Sequence, residues 1–139
     1  MSSAQLYNAQ VLGMATSLAA YPLCADLALR GSARSATCGS MVELGLDRET
    51  DGKITRVGLR AQACAIGQAA AAIFAAAAPG TDQAQVAASL AEIEHWLAGG
   101  PQPAWPGFEA IALARAYPAR HGAILLSWRA ALVALAGRG

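Results

Sequence analysis

The stretch ATCGSMVELGLDRETDGKITRVGLRAQACAIGQAA, residues 36–70, decides the fold. Two runs in it place apolar side chains at every second position, the signature of half-buried strands. Over 41–47, Val42, Leu44 and Leu46 share one face; over 53–64, Val57, Leu59, Ala61 and Ala63 do the same. Asp51-Gly52 lies between the runs and suits the positive-φ positions of a hairpin turn. Ile54 is out of phase with its strand, so a bulge or a longer turn is expected beside it. Cys38 and Cys64 are equidistant from Asp51. In an unbroken register they face each other at the open end of the hairpin, and a bulge moves that pairing by one position. Cys64 also ends a strand and begins a helix, where unpaired N–H groups and the helix dipole favour a thiolate.

Working outward, residues 27–34 alternate at Leu27 and Leu29 and supply a third strand for a small antiparallel sheet. Residues 4–19 read as a helix with Tyr7, Val11, Met14 and Leu18 on one stripe, ended by Tyr21-Pro22. After Cys64 the pattern is helical to the end. An alanine-rich helix over 65–78 stops at Pro79-Gly80. A helix over 82–98 follows, with Thr81 as its N-cap and Val86, Leu90, Ile93 and Leu97 as its stripe, Trp96 beside it. GGPQPAWPG is a loop, 108–116 a short helix, and Pro118 an early position of a last helix reaching about residue 136. Its stripe is Ile124, Leu125, Trp128, Leu132 and Leu135. Strands grouped together, then helices grouped together, mean an α+β fold: a small three-stranded antiparallel sheet packed against about five helices, in a single domain over 1–139.

The net charge of +1 gives no footprint for nucleic acid. The most apolar stretch, AIGQAAAAIFAAAAPG, is short, rich in alanine and interrupted by Gln68, so no membrane span is expected. The start, MSSAQLYNAQ, lacks the basic and apolar regions of a secretory signal. The expected compartment is the cytoplasm, where thiols stay reduced. Three cysteines without a Cys-x-x-Cys pair argue against a disulfide framework and against a zinc knuckle. Two neighbouring thiolates in a reduced compartment then suggest a soft-metal or sulfur-handling site. The competing reading is that each is a small apolar core residue. A thiol enzyme is the weakest reading, because no His/Asp constellation accompanies the cysteines.

Residues 36–40, Ala-Thr-Cys-Gly-Ser, stand before the hairpin, and residues 63–70, Ala-Cys-Ala-Ile-Gly-Gln-Ala-Ala, after it. With LYNAQVL near the start and YPARHGAILLSW near the end, they resemble the iron–sulfur cluster scaffold family of the NifU N-terminal/IscU type, closest to its SufU-like branch. The resemblance spans essentially the whole chain, and its Cys-Ala-Ile-x-Gln-Ala segment is the specific part. It implies a three-stranded antiparallel sheet on helices (an IscU/NifU-N-like fold). It implies sulfur received from a cysteine desulfurase, iron or a [2Fe–2S] cluster held on the protein, and transfer to apo iron–sulfur acceptor proteins. SufU-like members also bind zinc. The family site has three cysteines and an aspartate. Here Ser40 stands in the aspartate's place and Ala123, in Arg120-His121-Gly122-Ala123, in that of the third cysteine.

The expected cluster- and metal-binding residues are therefore Cys38 and Cys64, with His121 as a substitute metal ligand, since imidazole binds both zinc and iron. His121 also reads as a surface histidine at a helix start. Cys24 reads either as a ligand brought over the site or as a packing residue. His95 reads as a solvated or rim residue. Arg34 and Arg60 read either as flanking the site and favouring a thiolate or an anionic cluster or, the preferred reading, as solvated strand residues. Two functions follow. One is an assembly scaffold using Cys38 and Cys64. The other is a degenerate relative, a weak zinc-binding or desulfurase-docking protein without cluster assembly. On neither is the chain an enzyme.

Overall fold

Three strands, β1 (Leu29–Arg34), β2 (Met41–Arg48) and β3 (Ile54–Gln62), form one antiparallel sheet in that order. The structure is a computed structural model and describes residues 7–36 and 39–137. Its helices are α1 (Ala9–Thr16), α2 (Ala65–Ala77), α3 (Gln83–Leu97) and α4 (His121–Ala136). Short 3₁₀ segments lie at Ser17–Ala20, Phe108–Ala116 and Pro118–Arg120. The expected first helix is thus α only over Ala9–Thr16, and residues 4–6 lie outside the described residues. Both Phe108–Ala116 and the Pro118 turn are tighter than α, the former kinked at Ile111.

Strand alternation sorts the sheet into two faces. Leu29, Leu46 and Val57 form one cross-strand row, Gly31, Leu44 and Leu59 the next, and Ala33, Val42 and Ala61 the third. This apolar face is covered by α4 over β1 and β2 and by α2 over β3, with α3 behind α4 and α1 behind α2. Small residues let the layers close. At Gly31 an added Cβ would collide with the carbonyl oxygen of Ala130 and lie 2.7 Å from the Ala134 nitrogen. Farther out, Phe74, Trp105, Trp128 and Phe108 pack ring against ring with centroids 5.2–5.6 Å apart. The Trp105 indole donates to the Ile73 carbonyl at 2.9 Å, so the Pro/Gly-rich loop is pinned by its one large side chain.

The other face carries Glu43, Asp47, Arg56 and Arg60, and residues 21–28 strap across it. Leu27 and Leu23 lie over the paired glycines Gly45 and Gly58, where an added Cβ at Gly45 would come within 2.9 and 3.1 Å of them. The Tyr21 carbonyl accepts from Leu59 N on the free edge of β3. Arg56 bridges Asp26 on the strap to Asp47 on β2, at 3.1 and 2.6 Å. Asp47 in turn accepts from Ala28 N at 3.0 Å. The Ala28 N–H and the Arg56 guanidinium hold the Asp47 carboxyl below its ordinary range. This attachment is therefore present above about pH 4 and is lost as the carboxyl is protonated below it. Farther along the same edge, Ile54 pairs with the Gly80–Thr81 turn, so the edge of β3 is covered at Ile54 and at Leu59.

The bulge expected near Ile54 is present: Asp47 pairs with Arg56 and Arg48 with Ile54, leaving Thr55 extra. The cap of α3 is Asp82 and not Thr81. Asp82 Oδ1 accepts from Gln85 N at 2.9 Å while Gln85 Oε1 accepts from Asp82 N at 3.0 Å, a reciprocal capping box. Thr81 Oγ1 instead donates to the Ala78 carbonyl and closes the turn behind α2. Asp82→Ala is expected to cost about 1 kcal/mol, read as a lower urea midpoint at unchanged slope; no shift would mean the cap is dispensable.

Candidate functional site

Cys64 is the hinge residue between β3 and α2. β3 ends at Gln62, and the backbone at Cys64 is extended (φ −64°, ψ 170°), so it is the N-cap of an alanine-rich helix. Its thiol makes no capping hydrogen bond and is half-buried. The first-turn N–H groups of a helix have no partners within it, and the Cys64 side chain does not cap them here. Gln68, one turn on, donates from Nε2 to the Ala63 carbonyl at 3.0 Å and from its backbone N–H to the Cys64 carbonyl at 2.9 Å.

A second helix start reaches this corner. An added Cβ on Gly67 would lie 2.7 Å from Ala63 Cβ and 3.1 Å from Ala123 Cβ. Ala123 is the third residue of α4 and Gly67 the third of α2, so the N-terminal turns of both helices meet beside Cys64. Ala123 is the position where the sequence resemblance calls for a third cysteine, and it is buried at 2% exposure. Ser40, in the aspartate's place, is buried too.

The hairpin register corrects the simple symmetry argument. Only Arg48 and Ile54, inside the bulge, are centred on Asp51. From Asp47–Arg56 onward the pairing is displaced by one residue, and it ends at Met41–Gln62. Continued outward, that register sets residue 39, not 38, against Cys64. Cys38 itself, with Thr37, lies outside the described residues. Of the described residues to either side, Ser35 N donates to the Ser40 carbonyl at 2.8 Å and Gly39 N to the Ser35 carbonyl at 3.0 Å.

His121 opens α4, and its Nε2 lies 2.8 Å from the Arg115 carbonyl oxygen. Facing a carbonyl, that nitrogen acts as an N–H donor, which leaves only Nδ1 as a ligand atom. Cys24 fits neither expectation. It is exposed on the strap, in a groove with Tyr21, Leu27, Val57, Ala75 and Pro79. Ala75 and Pro79 are at the far end of α2 from Cys64, about 16 Å along its axis at 1.5 Å per residue. His95 is exposed near the end of α3. Arg60 pairs with Glu43 at 3.7 Å on the outer face. Among the described residues no three His, Cys, Asp or Glu side chains gather as a metal site, and no helix is long and apolar enough to cross a membrane. A zinc ion with four ligands is thus not provided for by the described residues.

The spacing Cys-x-x-x-Gln was legible in the sequence as one helical turn, but nothing there assigned Gln68 its partner. The meeting of α2 and α4 at Gly67 and Ala123 had no local signal.

No protein-family model matches the chain, and no curated protein does. Solved structures do. The crystal structure of a nitrogen-fixing NifU-like protein (N-terminal) from Brucella abortus superposes with a TM-score of 0.85 at 26% identity, covering 94% of this chain and 92% of that one. A protein from Fervidobacterium islandicum AW-1, described as an iron–sulfur cluster assembly scaffold for the SUF system, superposes with a TM-score of 0.80 at 18% identity. That match covers 96% of this chain and 99% of the other.

Proposed function

We propose that this chain, which is of the NifU N-terminal and SufU type in its fold and its cysteine motif, serves iron–sulfur cluster assembly in the cytoplasm by accepting sulfur at Cys64. The observation that carries the reading is the half-buried, uncapped thiol of Cys64 at the start of α2, against the start of α4. The donor is a cysteine desulfurase carrying a persulfide. The Cys64 thiolate attacks the outer sulfur; one S–S bond forms as the donor's breaks, the donor cysteine leaves as thiolate, and no oxidant is consumed. Cys38 is the second thiolate for iron or a [2Fe–2S] cluster, which is cargo for apo iron–sulfur acceptor proteins. His121, through Nδ1, is the remaining candidate ligand.

The second reading, a desulfurase-docking relative that binds zinc weakly or not at all and does not build clusters, is favoured by one observation. Two positions where the resemblance calls for ligands hold buried Ser40 and Ala123. Anaerobic reconstitution with ferrous iron, cysteine and a cysteine desulfurase separates the two. A visible chromophore with iron and sulfide supports the scaffold. Sulfur on Cys64 without a chromophore supports the second reading, and neither product sinks both. Ala123→Cys sharpens the comparison. A thiol there faces the first turn of α2, and the variant is expected to lose bound iron to a chelator about tenfold more slowly than the parent, the scale on which even outer partners alter metal sites.

A further inference from the structure

Gln68 does more at this corner than extend a helix. Side chains on an α-helix lean toward its N-terminus, so a residue one turn after the N-cap can reach back past it. Gln68 does so: its side-chain Nε2 donates to the Ala63 carbonyl, and its backbone N–H donates to the Cys64 carbonyl. These two carbonyls belong to the two planar peptide units on either side of the Cys64 Cα. One residue therefore engages both, the second through the ordinary helical bond and the first through its side chain, which restrains the backbone on either side of Cys64. An acceptor such as a carbonyl dictates that the amide nitrogen, not its oxygen, faces Ala63.

We infer that Gln68 is the positioning residue for Cys64, holding the strand–helix corner so that the thiol stays at the α2 start, presented to the outer sulfur of the donor's persulfide. The inference rests on the proposed role of Cys64 as sulfur acceptor and explains why a glutamine stands four residues after it. Its amide ties the peptide unit that precedes Cys64 to the start of α2.

The test uses the full chain with Gln68→Met and Gln68→Glu. Both keep the length of the side chain and neither donates a hydrogen bond at neutral pH. Two quantities are read at Cys64 alone, by mass spectrometry of its peptide: the pH profile of alkylation by iodoacetamide, and the rate of sulfur uptake from a persulfide-loaded desulfurase. Both variants are expected to melt as cooperatively as the parent. In both, the alkylation profile departs from the parent's and sulfur uptake slows about tenfold, the scale on which outer partners alter metal sites. A general loss of helix stability would not displace the pH profile of one thiol in folded protein. Parental profiles in both variants would overturn the inference. So would a change in Gln68→Glu alone, which would trace the effect to charge. If the parent itself takes up no sulfur, the proposed function fails, and the alkylation profiles still decide the role of Gln68.

Discussion

Cys64→Ser is expected to abolish sulfur uptake and any iron–sulfur chromophore while leaving the protein as stable as before, or more so. Serine has the shape of cysteine but not its nucleophilic, metal-binding sulfur. At this position it also gains something. Cys64 is the N-cap of α2 and its thiol caps nothing, whereas a serine hydroxyl accepts from the second or third N–H of the turn. A good cap is worth about 0.5–2 kcal/mol. Loss of function with an unchanged or raised melting temperature is the expected pair of results, read by mass spectrometry of the Cys64 peptide, by visible absorption and by thermal unfolding. A variant that still carries sulfur at another cysteine would remove Cys64 from the centre of the proposal. One that unfolds would mean that the sulfur is a packing element.

Gly31→Ala is expected to be strongly destabilising. Gly31 lies in β1 on the face under α4, and the missing Cβ is what lets the helix backbone rest on the strand. The added atom would overlap the Ala130 carbonyl oxygen and lie 2.7 Å from Ala134 N. Those are backbone atoms of a helix interior and cannot rotate away. The strand or α4 must shift, breaking contacts along both, at a cost of about 3 kcal/mol or more. That is a large part of the roughly 5–15 kcal/mol that holds a domain of this size. The control is Gly13→Ala. Gly13 lies inside α1 with nothing within 4 Å of the added atom, and there the same substitution should stabilise by about 0.5–1 kcal/mol through helix propensity. Urea unfolding of the two variants should move in opposite directions. Equal shifts would show that the α4–β1 contact is more forgiving than its geometry.

The elements whose outcome depends on neighbours in sequence were readable from the residues. The inward sets Val42, Leu44, Leu46 and Val57, Leu59, Ala61 lie on one face of the sheet as a period of two requires, and out-of-phase Ile54 marked the bulge. Pro79-Gly80 stops α2 where it should, with Ala77 its last residue. Asp82 and Gln85 spelled out a capping box that the choice of Thr81 overlooked. The 3₁₀ character of Phe108–Ala116 was not readable, because residues three and four apart coincide over so short a segment.

The site divides in the same way. That Cys64 begins a helix was legible, since a strand pattern changes to a helical one at that residue. That Gly67 meets Ala123 and Gln68 reaches back to Ala63 at this corner was not. Cys24 shows the reverse: its place in the chain allowed it to approach the site, and the seat of Leu23 and Leu27 on Gly45 and Gly58 carries it to the other end of α2. By itself, then, the sequence determined the strands, the hairpin, most helix limits and the cysteine at the strand–helix corner, because periodicity, turn residues and breakers act over a few residues. The tertiary structure alone decided which helix start meets that cysteine, which carbonyl engages His121 and where the strap lies. Those depend on where two backbones can touch, and that is set by side chains far apart in the chain whose fit no local pattern records.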